Sequence, residues 1–354
     1  DLRLTEAVPK LLEVLAREQD YRARAAEVNA IGRLDGLTAL PALLTCLADD
    51  ASPVIEEAAY ALAALSRRIQ DDAETIASIA AALHGRFKLI PLDDAELREK
   101  FLDAMARMGE GSFRPVFRAE MAPDRAVRVR RAAIIGLGAY GDADAAGEIH
   151  PLLTSAEPEI RLAAVQAMGP CGRTMADLQA LAGRLDGTSE TDSAVRERAW
   201  ESYLQVALRM PPAEWLAISD GLARPGDQVA QRRRVELLKA VTGSPQKLKQ
   251  LPAQAQIGAF ERMGDAQAEL GDFLAAASSF EQAIALVPER SDPKVASLAM
   301  RLAVVLIRGR QDRIAAQRIA ELGNVVKNSD GGSAAETLAQ AVLREIRARC
   351  GAAN

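Results

Sequence analysis

The sequence predicts an all-α protein, an α-solenoid superhelix of helical hairpins, and three observations carry that prediction. One short motif recurs along the first 208 of its 354 residues. Hydrophobic residues make up 49% of the chain but aromatic ones only 4%, so the core must be aliphatic and helix-compatible, with few β-branched or aromatic strand-like runs. Helix-start signals stand ahead of the motif copies.

The clearest copies are "VRRAAIIGLG" from Val129 and "IRLAAVQAMG" from Ile160. Each has a branched residue, Arg, a pair of Ala and then Gly in the same frame. The frame also fits "VIEEAAYALA" from Val54, "LREKFLDAMA" from Leu97 and "VRERAWESYL" from Val195, with a weaker copy, "RARAAEVNAIG", from Arg22. Ser52-Pro53, Asp94, Pro123-Asp124, Glu157-Pro158 and Asp192-Ser193 precede the copies and supply caps, acids for the first turn, or Pro at its favoured early position. Several copies break at Gly or a polar turn and resume as a second apolar helix, as in "LTALPALLTCLADD" (37–50) and "AGEIHPLLTSA" (146–156). The unit is helix, turn, helix, next repeat. The long step from Val54 to Leu97 predicts an extended second helix over 71–85 and a loop through Pro91.

"GLGAYG" (136–141) spells G-x-G-x-x-G, the fingerprint that cradles a dinucleotide pyrophosphate. That fingerprint must follow a buried strand and open a helix. Here Gly136 and Gly138 fall in the last turn of a helical repeat, and Gly141 in the turn after it. The expected roles are close helix approach and a C-terminal turn.

The D/E-x-x-V-R-x-x-A-A-x-x-A-L-G pattern resembles HEAT repeats of the short bacterial kind, over about residues 20–208. The resemblance implies a ladder in which the Arg of each repeat pairs with an acid of a neighbour. Its positions here are Arg98, Arg130, Arg161 and Arg196, with Asp94, Asp124, Glu157 and Asp192 as candidate acids. Ile55 stands where the Val54 copy should carry Arg, so the ladder lapses there. After Met210 the frame fades. Connecting helices and a linker are expected over 209–252: a helix from Pro212, a break at "ARPGD" (223–227), a second helix, then a turn at "TGSPQKLKQLP" (242–252).

From Ile257 a different motif begins. Phe260, Gly264, Gly271, Ala276, Phe280 and Ala283 sit at spacings similar to those of a tetratricopeptide repeat, and 253–325 reads as two such hairpins. A polar break, "KNSDGGS", precedes a C-terminal capping helix within 326–354. In that family the first helix lines a groove, and the matching positions include Glu261, Asp265 and Glu269. At i, i+4 and i+8 they form one acidic stripe, a small strain that Arg262 can relieve toward Asp265. The next hairpin's row is apolar: Ala296, Ala299, Ala303, Leu306 and Ile307. Such a pair of rows suits a basic amphipathic segment; a solvated stripe beside a row packed on the C-terminal helix is the alternative.

Little else suggests chemistry. Only His84 and His150 are available, so His-based metal or Ser/His and Cys/His arrangements have almost no material. Cys46, Cys171 and Cys350 form no metal or disulfide pattern. No catalytic residue, cofactor or metal is expected, and the chain reads as no enzyme. A net charge of −5 opposes general nucleic-acid binding. The arginine clusters Arg125/Arg128/Arg130/Arg131 and Arg232–Arg234 read as a solvated face plus the ladder, against a site for an acidic partner. No apolar run spans a membrane. The expected role is a scaffold or adaptor binding a protein or peptide on a concave surface. The alternatives are a HEAT-type lyase or chaperone for a cofactor-bearing protein, and a HEAT-type nucleic-acid binder. A cytoplasmic location is expected, although an exported mature form would present the same start at Asp1.

Overall fold

The computed structural model describes residues 7–34, 37–69, 71–288 and 293–309. Among them there are helices, turns and loops but no strand. Backbone contacts group the chain into two compact units, Asp1–Val206 and Ala207–Asn354.

In the first unit the helices run, in order, α1 (Val8–Leu15), α2 (Tyr21–Arg33), α3 (Leu40–Cys46), α4 (Ser52–Ser66), α5 (Ala73–Leu89) and α6 (Ala95–Met108). They continue with α7 (Arg114–Glu120), α8 (Val127–Gly138), α9 (Ala143–Ile149), α10 (Pro158–Cys171), α11 (Met175–Ala182) and α12 (Ser193–Ala207). The even-numbered helices carry the sequence frame. Consecutive ones, α2, α4, α6, α8 and α10, pack side by side as one layer, and shorter helices such as α3, α7 and α9 pack behind them. This is an α-solenoid.

A rule of small residues sets the step between long helices. Counting from the frame position (Arg24, Ile55, Arg98, Arg130, Arg161, Arg196), the eighth residue of one helix faces the sixth of the next. A Cβ placed on Gly32 would stand 2.6 Å from Ala61 Cβ, and one on Gly138 only 2.5 Å from Ala167 Cβ. At Gly169 it would meet Ser202 Oγ at 3.0 Å and Gln205 Oε1 at 2.6 Å. The two steps without such a glycine have Ala63 with Ala104, and Ala106 with Gly136, at the same places in the sequence. Large aliphatic and aromatic side chains then fill the space between layers, with Leu62, Phe101, Phe113 and Phe117 fully buried.

Helix entries follow local chemistry. Asp94 accepts from Leu97 N–H and caps α6, and Asp192 accepts from Ala194 and Val195 N–H ahead of α12. Asp124 does not cap: α8 begins after Ala126 without a side-chain cap, and Asp124 instead accepts from Arg125 at 2.6 Å. The helix expected over 71–85 starts at Ala73, capped by Asp72, and runs through Gly85 to Leu89. It stops where Ile90, extended, precedes Pro91.

In the second unit a 3-10 turn at Pro212–Glu214 leads into α13 (Trp215–Gly221), followed by α14 (Gln228–Thr242) and α15 (Pro245–Leu248). α15 is a single turn within the segment expected as turn or linker, capped by Ser244. Then come α16 (Ala253–Glu269), α17 (Phe273–Ala285) and α18 (Pro293–Arg308), with α14 on α16, α16 on α17 and α17 on α18. The α16–α17 turn uses Gly271 at φ +79°. Gly264 lies under the Phe280 ring, which would stand 2.7 Å from any Cβ there. The second helix of the next hairpin and the C-terminal capping helix with Cys350 fall outside the described residues.

Candidate functional site

The glycines of "GLGAYG" are packing residues. Gly136 and Gly138 close the last turn of α8 rather than opening a helix after a strand. The Phe117 ring fills the space beside Gly136, and Ala167 of α10 that beside Gly138. Gly141, at φ +67°, reverses the chain into α9, and Arg173 donates to its carbonyl at 2.8 Å.

The arginines of the frame form four rungs. Arg24 donates to Asp49 at 2.8 and 2.9 Å, Arg98 to Glu120 at 2.6 and 3.3 Å, Arg130 to Glu157 at 2.7 and 3.0 Å, and Arg161 to Glu190 at 2.6 and 2.8 Å. Asp49, Glu157 and Glu190 lie just ahead of a long helix of the following repeat, and Glu120 ends the short helix α7 that precedes α8. Three of these guanidinium groups also bond carbonyls that precede their own helix: Gln19 O for Arg24, Ile90 O for Arg98, and Ser155 O for Arg161. Each such arginine therefore ties an entry loop to the next one. Hydrogen bonds from arginine hold the Asp49 and Glu190 carboxyls below the usual carboxylate range.

Of the expected acids only Glu157 takes a rung. Asp94 and Asp192 are engaged as caps, Asp124 holds Arg125, and Glu120 and Glu190 stand in their places. Arg196 donates to the Glu190 carbonyl instead of an acid. Ile55 is buried, so the Val54 repeat offers no cation. In the weak copy that begins at Arg22, the residue in the frame position is Arg24. The available signal is Gly32, which follows Arg24 by the eight residues that separate Gly138 from Arg130.

The sequence reading missed a second set of links between long helices. Asn29 Nδ2 donates to Glu57 at 2.6 Å, Lys100 pairs with Glu56 at 2.8 Å, and Arg128 with Glu99 at 2.8 Å. These join α2 to α4, α4 to α6 and α6 to α8. Within the cluster Arg125/Arg128/Arg130/Arg131, the first three are thus paired. Arg131 has no ion pair or hydrogen bond among the described residues, and its Nε is buried. In the other cluster, Arg234 is buried against Ser219 and Asp220.

The acidic stripe of α16 is largely neutralised within the chain. Glu261, 13% exposed at its side chain, meets Lys294 at 2.7 Å and Arg301 at 3.3 Å, both from α18. Arg301 also donates to Asp265 at 2.7 and 2.9 Å. Burial still raises the Asp265 carboxyl above the usual range, with Glu261 adding to the rise. Glu269 is exposed and has no ion pair among the described residues. Arg262 turns away from Asp265 to Asp220, at 2.7 and 2.8 Å. In the neighbouring row Ala299, Ala303 and Leu306 are buried and Ile307 is half-buried; the Ala296 side chain is outside the described set.

Among the described residues no group of His, Cys, Asp and Glu could hold a metal ion, and no helix is long and apolar enough to cross a membrane. The repeated frame, the small-residue steps and the arginine rungs converge on one family, and its model, described as HEAT repeats, matches residues 115–203. Over residues 115–203 the chain is similar to HEAT repeats. No curated protein matches the sequence. Similar solved structures include the CpcE–CpcF complex of phycocyanin lyase from Nostoc sp. PCC7120, at 19% identity, 73% of this chain, 94% of that one and a TM-score of 0.42. A homology model of the full-length AP-3 complex in an intermediate open conformation is similar at 13% identity, covering 97% of this chain and 78% of that one, with a TM-score of 0.43. Human deoxyhypusine hydroxylase in complex with glycerol is similar at 15% identity, 87% and 97% coverage and a TM-score of 0.31.

Proposed function

We propose that this HEAT-repeat chain is a non-catalytic scaffold or adaptor that binds a protein partner on the open face of its long-helix layer. The observation that supports it most is that layer itself. α2, α4, α6, α8 and α10 stand side by side, and links between their outward residues, Asn29–Glu57, Lys100–Glu56 and Arg128–Glu99, cross the face. Such a face is broad and held in register by its own side chains, which limits the ordering cost of binding a partner. The α16–α17 hairpin, which resembles a tetratricopeptide repeat, offers a second place. A basic segment meeting the stripe there would find Glu269 open, and would compete with Lys294 and Arg301 for Glu261 and Asp265.

Affinity capture with the full chain, followed by titration of each captured protein, tests the reading. The expected outcome is a saturable partner whose binding weakens when Arg131 is changed to Glu. Capture of no saturable partner contradicts it.

A further inference from the structure

The step from Val54 to Leu97 is the irregular one, and its added length is placed where it creates a surface. α5 has 17 residues, whereas α3, α7 and α9 have 7 each. The end of α5, the loop through Pro91 and helix α7 enclose an open hollow of about 540 Å³. Phe87, Ile90 and Val116 are buried at its walls. At its lip Leu89 is 71% and Leu92 60% exposed. Single exposed leucines are ordinary, but two beside an apolar-walled hollow form a patch of the kind that marks an interaction site.

The charges lining the hollow are unequal. Its lining holds Lys88, Arg98 and Arg125 with one carboxylate, Glu120, while Asp124, outside the lining, accepts from Arg125 at 2.6 Å. Arg98 holds Glu120 at 2.6 Å, and Arg125 lies 3.6 Å from the same group. The Nε of Arg125 is buried and has no hydrogen-bond acceptor among the described residues. Lys88 is exposed and has no ion pair there. His84, also in the wall, has its pKa lowered by burial and by Lys88, so it favours the neutral form. The hollow thus combines apolar walls, an apolar lip and one exposed positive charge, Lys88, that has no acid among the described residues.

We propose that it docks a segment of a partner protein that presents one large apolar side chain with a carboxylate within a helical turn of it. The apolar group would fill the hollow between Phe87 and Val116, under Leu89 and Leu92, and the carboxylate would meet Lys88. An anchor in a pocket ringed by apolar contacts is the usual anatomy of a binding hot spot. The inference rests on the scaffold reading and gives that scaffold a contact site and a partner chemistry.

The test uses the full chain and a random peptide library displayed on phage. Selected peptides are synthesised with a fluorescent label and titrated by anisotropy. They are expected to share a large apolar residue with Asp or Glu within one turn. Leu89→Asp with Leu92→Asp should weaken them roughly tenfold or more, and Lys88→Glu several-fold, most at low salt. These side chains are exposed, so melting curves should not move and lost binding cannot be lost folding. Selected peptides that bind the double variant equally well, a basic consensus, or a library without binders would each overturn the proposal. So would a dimer, seen by sedimentation velocity, that the double variant abolishes, since a second copy would then be the occupant. A captured partner insensitive to these variants refutes the hollow and leaves the scaffold reading standing; absence of any captured partner defeats that reading itself.

Discussion

Replacing Arg161 by Ala removes the most buried acid's partner. The Arg161 side chain is 14% exposed and that of Glu190 0%. Two charge-assisted bonds of 2.6 and 2.8 Å join them, and Arg161 also satisfies Ser155 O and Ala156 O. Breaking a buried pair from one side costs about 3–5 kcal/mol, mostly from the charge left behind. Glu190 keeps the Asp192 N–H at 3.1 Å and has Arg184 at 3.9 Å, which places the cost at the lower end, about 3 kcal/mol. For a unit of this size that is a fall in melting temperature of roughly 6–12 °C. Arg161→Lys should recover only part of it, because an ammonium cannot make the two-pronged contact. The assay is guanidinium and thermal unfolding followed by circular dichroism, with a double-mutant cycle on Arg161→Met and Glu190→Leu. The expected coupling is about 1–3 kcal/mol. A coupling near zero, or an unchanged melting curve for Arg161→Ala, would refute the rung as a structural tie.

Acid should act through the same rungs. The folded pKa values of Asp49 and Glu190 lie below their unfolded values, so their stabilisation is present above pH about 4–5 and is lost as pH falls through the folded values. Urea midpoints measured against pH should therefore fall below pH about 4, and less steeply in Arg161→Ala. Gly138→Ala drives a methyl into Ala167 and should destabilise by about 1–3 kcal/mol, whereas Gly85→Ala, with open space at its Cβ, should stabilise α5 by roughly 0.5–1 kcal/mol; one set of denaturation curves checks both, and the same sign for both would contradict the packing argument. Asp265→Lys sets a cation against Arg301 and should lower the melting temperature, while Glu269→Lys should leave it unchanged and weaken any basic partner, as titration would show.

The sequence period exposed the long helices because an Arg and a small residue recur at fixed places in each. Gly32, Gly138 and Gly169 announce the helix crossings for the same reason: only a small side chain fits there. The acids of the rungs were harder to read. Asp94 and Asp192 stand next to helix starts, where a cap and a rung look alike in sequence, and the cap takes them. Glu120 and Glu190 are reached across the next turn, at sequence distances that vary from rung to rung. The stripe on α16 was visible from its i, i+4 spacing, but its neutralisation was not, because Lys294 and Arg301 belong to another helix. The hollow beside Pro91 left only the mark of an overlong repeat.

Deletion of residues 127–157 tests the repeat architecture most directly. It removes α8, α9 and the Arg130–Glu157 rung as one 31-residue unit, leaving the Arg98–Glu120 and Arg161–Glu190 rungs whole. The new junction joins Ala126, already extended at φ −55° and ψ 140°, to Pro158, a conformation the residue before proline favours. Ala106 would then face Ala167, a pair of small residues like Ala63 and Ala104, and the Ala167 methyl would take the place that the Phe117 ring fills beside Gly136, so that ring must shift and some stability is lost. Because each repeat contacts only its neighbours, the shortened chain should keep the same helicity per residue and unfold in a cooperative transition. Loss of helicity well beyond the removed residues, or an aggregated chain, would contradict the account.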